Sequence, residues 1–311
     1  MNRRHRIVRK LFLAAGIWMA AGWLAAGCGT SPKQPAGPPV DTNLERLNRA
    51  ARAAFENGQI DQAAQLYRRA LDQALMRADA VAITDARYNL ATCLMTMGEE
   101  SRALEMVEQA QAELTRDGRA IPADVHLLQA TILYRSGRNS EAWQVTDGIV
   151  RENPSPPPLV LQRTYFLRGL IADAAGDVAR LRAAIERMPP VSDSTLQADR
   201  SELTGRLAML EGRWDEAVTA LDDAAGLRRQ DLDYRRMAIS LALSARACEE
   251  AGRTEDAARR YLEAGRSAAL TGEKANAVQW LDNAVRLSEA ANTPDIAQEA
   301  RDHLEILTGK K

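Results

Sequence analysis

Three arginines, Arg206, Arg246 and Arg286, stand 40 residues apart in a chain of 311 residues. A guanidinium group is a planar fork of donors that can grip a carboxylate through two parallel hydrogen bonds. Three such groups at equivalent places in a repeated unit would form a ladder suited to a peptide C-terminus or an acidic segment. Each also has acidic neighbours at helical spacing. Glu202 and Asp282 lie four residues before Arg206 and Arg286, and Glu249 and Glu289 three residues after Arg246 and Arg286. Pairing within each helix is therefore the competing reading. Catalytic chemistry finds less support. His126 and His303 are far apart, and no HExxH, CxxC, GxSxG or phosphate-loop motif occurs. Carboxylate doublets such as Glu99/Glu100 and Asp222/Asp223 fit a solvated helix face. His, Cys and Asp are nowhere dense enough for a metal site. The chain reads as a non-enzyme, with no cofactor and no metal.

The elements that would position the arginines emerge from an internal period. Glycine recurs at 58, 98, 137, 176, 212 and 252, and Asn292 takes the next slot, so the spacing is close to 40 with one shorter step of 36. Five residues after each turn stand Ala63, Ala103, Ala142, Leu181, Ala217, Ala257 and Ala297. Nine after stand the bulkier Tyr67, Val107, Thr146, Ile185, Leu221, Tyr261 and Arg301. Twelve after, the column is mostly alanine. Seven before, it is Ala51, Ala91, Ala130, Gly169, Gly205, Ala245 and Val285. Offsets of five, nine and twelve share one helical face. Small residues there let a helix approach the small residue on its predecessor, and the glycine turns the chain between the two. Each unit is thus a helix pair that buries its apolar face only by stacking on its neighbours.

This small–small–bulky–small pattern is similar to the tetratricopeptide repeat (TPR), most visibly in "GQIDQAAQLYRRAL" (58–71), "GRWDEAVTALDDA" (212–224) and "GRTEDAARRYLEA" (252–264). The resemblance covers residues 44–308 and departs from pattern at Leu181, Met188 and Arg301. It implies an all-α fold, an α-solenoid of about seven antiparallel helix pairs in a right-handed superhelix. The usual unit is 34 residues, so the spacing here requires longer helices or longer loops. "NPSPPP" (153–158) and "PPVSDS" (189–194) mark two loops near the fourth unit, where the solenoid is expected to bend or split. Cys93 and Cys248, four units apart, are too distant for a disulfide.

In such solenoids the first helix of each pair lines the concave groove. Six residues before each turn, and so facing that groove, stand Arg52, Thr92, Thr131, Leu170, Arg206, Arg246 and Arg286. The matching face of the second to fourth units carries Tyr88, Met95, Leu127, Tyr134 and Phe166. These would form either an apolar peptide groove or ordinary inter-helix core. The lysine- and asparagine-based carboxylate clamp of chaperone-binding members is absent from the equivalent positions.

The N-terminus gives an address. Arg3, Arg4, Arg6, Arg9 and Lys10 precede an uncharged run from Leu11 to Gly27, the layout of a secretory signal. "Ala-Ala-Gly-Cys" at 25–28 resembles the lipobox of bacterial lipoproteins, which implies cleavage after residue 27 and lipidation, palmitate included, at Cys28. An uncleaved signal anchor is the alternative. Gly29 in place of aspartate points to the outer membrane by resemblance to enteric sorting. Residues 28–43, "CGTSPKQPAGPPVDTN", read as a lipidated cysteine and Pro-rich tether, and 44–311 as the repeat domain. Loss of residues 1–27 removes five of 41 basic and none of 42 acidic residues, so the mature net charge moves from −1 to −6. That balance argues against nucleic acid. The expected function is a membrane-anchored periplasmic scaffold of the cell envelope that binds a partner protein or peptide. A lipoprotein that encloses a small molecule for a solute transporter is the alternative. Nothing in the sequence indicates a homo-oligomer.

Overall fold

The computed structural model describes residues 42–152, 154–190 and 193–309. The signal segment, Cys28 and the tether lie outside the described residues. Fourteen helices follow one another, and the described residues contain no strand: α1 (Thr42–Glu56), α2 (Ile60–Met76), α3 (Ala80–Thr96), α4 (Glu100–Arg116), α5 (Ala123–Arg135), α6 (Asn139–Val150), α7 (Pro158–Ala174), α8 (Val178–Arg187), α9 (Ser194–Leu210), α10 (Trp214–Gln230), α11 (Tyr234–Glu250), α12 (Thr254–Leu270), α13 (Lys274–Ala290) and α14 (Pro294–Thr308). They make seven pairs. Each helix packs mainly on the next in sequence, and α3, α5, α7, α9 and α11 also touch one another in succession. The odd helices therefore form one layer and the even helices the other.

The long period is met by long helices. Most are 17 residues, and three residues link them both within and between pairs. The expected turn residues all have positive φ, from Gly58 at 74° to Asn292 at 54°. At Gly252 the amide donates to Glu249 O (2.9 Å) and the Arg253 amide to Cys248 O (2.8 Å), which satisfies carbonyls that the helix end leaves open. The turns between pairs use the same left-handed residue, at Ala78, Gly118, Leu232 and Gly272. Ala78 and Leu232 each carry a side chain there, at a cost of about 1–2 kcal/mol. Leu232 has φ 60° and is 68% exposed, so its side chain contributes little packing in return. Leu232→Gly is expected to raise stability by about 0.5–1 kcal/mol, allowing for the entropy of glycine. Urea unfolding checks this.

The repeat columns become the core. Ala63, Ala103, Ala142, Leu181, Ala217 and Ala257 are all fully buried, as are Ala51, Ala91, Ala130 and Ala245. The bulky column sits over the small one: a Cβ built on Gly205 would lie 2.5 Å from Leu221 Cγ and 3.2 Å from the Ala217 carbonyl oxygen. Arg301 of the last unit is exposed and pairs with Glu289, as suits a terminal cap. Cys93 and Cys248 are free and buried. Burial pushes the Cys93 thiol up to about 11.

The buried apolar residues are discontinuous at the fourth unit. One cluster runs from Ala51 to Ile171, another from Ala208 to Ala300, and a small one, built on Ala172, Leu181, Met188, Leu203 and Leu207, lies between. Polar contacts reinforce this zone. Arg168 of α7 lies over the Trp143 ring of α6 at 3.9 Å and bonds Asp147 at 3.4 Å. Helix α8 has only 10 residues and stops before Pro189. Arg200 of α9 donates to the carbonyls of Ile185 (2.9 Å) and Met188 (2.6 Å), which closes that helix end.

Candidate binding face on the odd helices

The arginine at six residues before a turn reaches back to the residue three before the preceding turn. Arg206 Nη1 donates to Asp173 Oδ2 at 2.7 Å, and Arg286 Nη2 to Glu249 Oε1 at 2.8 Å. In both cases the partner lies on the previous odd helix, so the pair staples neighbouring units. For Arg246 the corresponding residue is Met209, which is buried and offers no charge. Arg246 is exposed. Periodicity places the three arginines alike, but the acid opposite each one differs, and this separates two staples from one available cation.

Only one of the expected intrahelical pairs is a close contact. Glu202 accepts from Arg206 at 2.8 Å. Glu289 turns instead to Arg301, and Glu249 serves Arg286 from the neighbouring helix.

Arg206 belongs to a wider network that the spacing does not reveal. Glu202 Oε2 also meets Arg228 Nη2 at 2.5 Å, and Arg228 reaches Asp199 at 3.3 Å. Arg228 comes from the even layer, is only 1% exposed, and donates further to Ser240 Oγ (2.6 Å) and the Arg236 carbonyl (3.1 Å). Arg236 bonds Asp199 and stands over the Phe166 ring, 5.4 Å from its centroid. Burial pushes the Asp199 carboxyl above its ordinary value. For Glu202 burial acts the same way, but the two guanidinium groups of Arg206 and Arg228 together outweigh it and hold the carboxyl below the usual range. Buried charge survives here because every ion has a partner.

The aromatic residues divide between two places. Tyr134 feels the charges of Arg206, Asp173 and Glu202, and Phe166 lies under Arg236, so both border the network. Tyr88 stands apart, in a cleft of about 370 Å³ lined by Asn48, Arg52, Tyr67, Thr84, Asp85 and Asp124 among others. All three are half-buried, neither pure core nor open surface. The network could have been suspected from Asp199, Glu202 and Arg228, which fall on helix faces otherwise apolar. The signal is weak without knowing which faces meet.

Among the described residues no cluster of three or more His, Cys, Asp or Glu could hold a metal, and no helix is long and apolar enough to cross a membrane. Family comparison finds the Tetratrico peptide repeat over residues 46–151. No curated protein matches the chain. Among solved structures, a tetratricopeptide repeat protein from Parabacteroides merdae is similar at 15% identity, with 84% of this chain and all of that chain covered and a TM-score of 0.50. The apo form of the quorum sensor NprR from B. thuringiensis is similar at 9% identity, covering 86% of this chain and 88% of that one with a TM-score of 0.55. These likenesses concern the fold. Residues 46–151 match the tetratricopeptide repeat by sequence, and the helix pairs that follow share the fold of a tetratricopeptide repeat protein.

Proposed function

We propose that this protein is a scaffold that holds a partner protein or peptide on the exposed face of its odd helices, and that it does so in the bacterial envelope, tethered through a lipid on Cys28 and facing the periplasm. The observation that carries the binding reading is the unequal fate of the arginines. Arg206 and Arg286 are stapled to Asp173 and Glu249, whereas Arg246 projects from the same row with Met209 opposite it. An exposed guanidinium with no acid opposite it suits an anionic or C-terminal group on a polypeptide. A solute carrier would need an enclosed apolar pore, and the cleft at Tyr88 is lined largely by polar side chains.

The test is recovery of crosslinked envelope proteins by wild type and by Arg246→Gln. We expect Arg246→Gln to lower partner recovery about tenfold, the loss of one charge-assisted contact, with an unchanged unfolding midpoint. Arg206→Gln should instead lower the midpoint. Equal recovery by Arg246→Gln and wild type would remove Arg246 from the site. The address is tested separately: Cys28→Ser should leave the membrane fraction, and its retention there would contradict lipid anchoring.

A further inference from the structure

We propose that the edge of the repeat domain carrying the turns between pairs rests on a lipid surface, with its exposed apolar side chains entering the boundary between headgroups and acyl chains. The inference rests on the reading of Cys28 as a lipid anchor and names the side of the domain that the anchor turns to the membrane.

The two edges follow from the connectivity. Consecutive helices pack on one another through short links, so the chain reverses at each link. Every odd helix therefore begins, and every even helix ends, at one edge, where the turns between pairs lie. The turns within pairs lie at the other. Nine large apolar side chains are exposed among the described residues, and eight of them stand at the first edge. Leu75 and Met76 close α2, Val81 opens α3, and Leu159 opens α7. Leu232 and Tyr234 sit at the α10–α11 turn, Leu270 closes α12 at 89% exposed, and Ile306 lies in the last turn of α14. The other edge has Leu210, and its turns carry charge instead, as at Glu99, Glu211, Arg213, Glu250 and Arg253. Single exposed apolar residues are ordinary, but their gathering along one edge marks a side that meets something apolar.

Backbone strain and the placing of the acids agree. Leu232 keeps a left-handed backbone with its side chain outward, where Gly118 and Gly272 meet the same need at other turns without that cost. Strain retained without internal packing fits a contact made outside the chain. Asp79 and Asp233 accept from the amides of Ala82 and Arg236, each at 3.1 Å, so their charge is met at the N-termini of α3 and α11. Asp231 accepts from the hydroxyls of Ser194 (2.7 Å) and Thr195 (2.9 Å). Carboxylates engaged in this way oppose an approach to lipid phosphates less than free ones.

The tether says what covers the edge. Helix α1 begins there, at Thr42, and the 13 residues 29–41 join it to Cys28. A link of that length spans at most about 45 Å. An acylated Cys28 thus keeps this edge beside the bilayer, whereas helices of 17 residues hold the other edge about 25 Å away from it.

The test places the full chain, purified in detergent, into vesicles of phosphatidylethanolamine and phosphatidylglycerol in equal parts with a trace of a diazirine-bearing phospholipid, and maps the photoadducts by mass spectrometry. We expect adducts at the turns around Met76, Leu232 and Leu270, and about tenfold fewer around Asn57, Gly98 and Glu250. Leu232→Gly combined with Leu270→Gln should cut the adducts at those two turns about tenfold, with the circular-dichroism spectrum unchanged. Adducts spread evenly over both edges, or absent from both while the chain floats with the vesicles, would overturn the proposal and leave lipid anchoring intact. A Cys28→Ser chain that floats and gives the wild-type adducts would support the edge contact and remove the anchor reading. A wild-type chain that does not float would count against both. A dimer that the double variant dissociates, with no lipid adduct, would assign the edge to a second copy and overturn the proposal.

Discussion

Arg228→Ala is expected to cost about 3–5 kcal/mol of stability, the largest effect of any single substitution considered, because it removes one member of a buried ion network and leaves its acids behind. Arg228 touches Glu202, Asp199, Ser240 and the Arg236 carbonyl, and water cannot take its place where Asp199 and Glu202 are each 3% exposed. Urea unfolding followed by circular dichroism measures the loss. The cause is separable from lost packing volume. Arg228→Met combined with Asp199→Asn and Glu202→Gln removes the stranded charges, and should recover more than half of the deficit. A triple variant no better than Arg228→Ala would mean that shape, and not charge, makes Arg228 indispensable.

The same network sets a pH dependence. The Glu202 carboxyl is held below the usual range in the folded protein, so its ionised form adds stability that is present above the unfolded value, about 4.3. That contribution is lost as pH falls through the lowered folded value. The stability gap between wild type and Glu202→Gln should accordingly be widest near neutrality and close below about pH 4.

The second large effect distinguishes two helical glycines. Gly205→Ala should destabilise by about 1–3 kcal/mol, since its new methyl meets Leu221 Cγ at 2.5 Å and, less yielding, a backbone oxygen at 3.2 Å. Gly205→Val should cost more. Gly226 lies towards the end of α10, and a methyl added there would meet nothing within 4 Å, so Gly226→Ala should stabilise by about 0.5–1 kcal/mol through helix propensity alone. Paired denaturation curves decide it. Two substitutions of one kind, with opposite signs, report where helices approach closely and where they do not.

The contrast also shows how the repeat was legible. Gly205 belongs to the small column seven residues before a turn, so its role could be read from spacing, and Gly226 belongs to no such column. Helix pairing, the turn positions and the burial of Ala63, Ala103, Ala217 and Ala257 follow from local rules of period and residue size. The equivalent turns at Ala78 and Leu232 were hidden, because the left-handed residue there is not glycine.

What spacing could not supply is which polar groups face each other. The same register that aligns Arg206, Arg246 and Arg286 says nothing of Asp173, Met209 and Glu249 until neighbouring units stack. Likewise Arg228 and Glu202 come from different layers, and Asp85 and Asp124 from different units; only packing makes a network of the first and a cleft of the second. Sequence alone determined the repeat, its helices and the small contacts that let them dock, because those depend on residues a few positions apart. Tertiary structure decided which charges are spent on holding units together and which stay available, because charge pairing depends on distance in space and desolvation, neither of which is local in the chain.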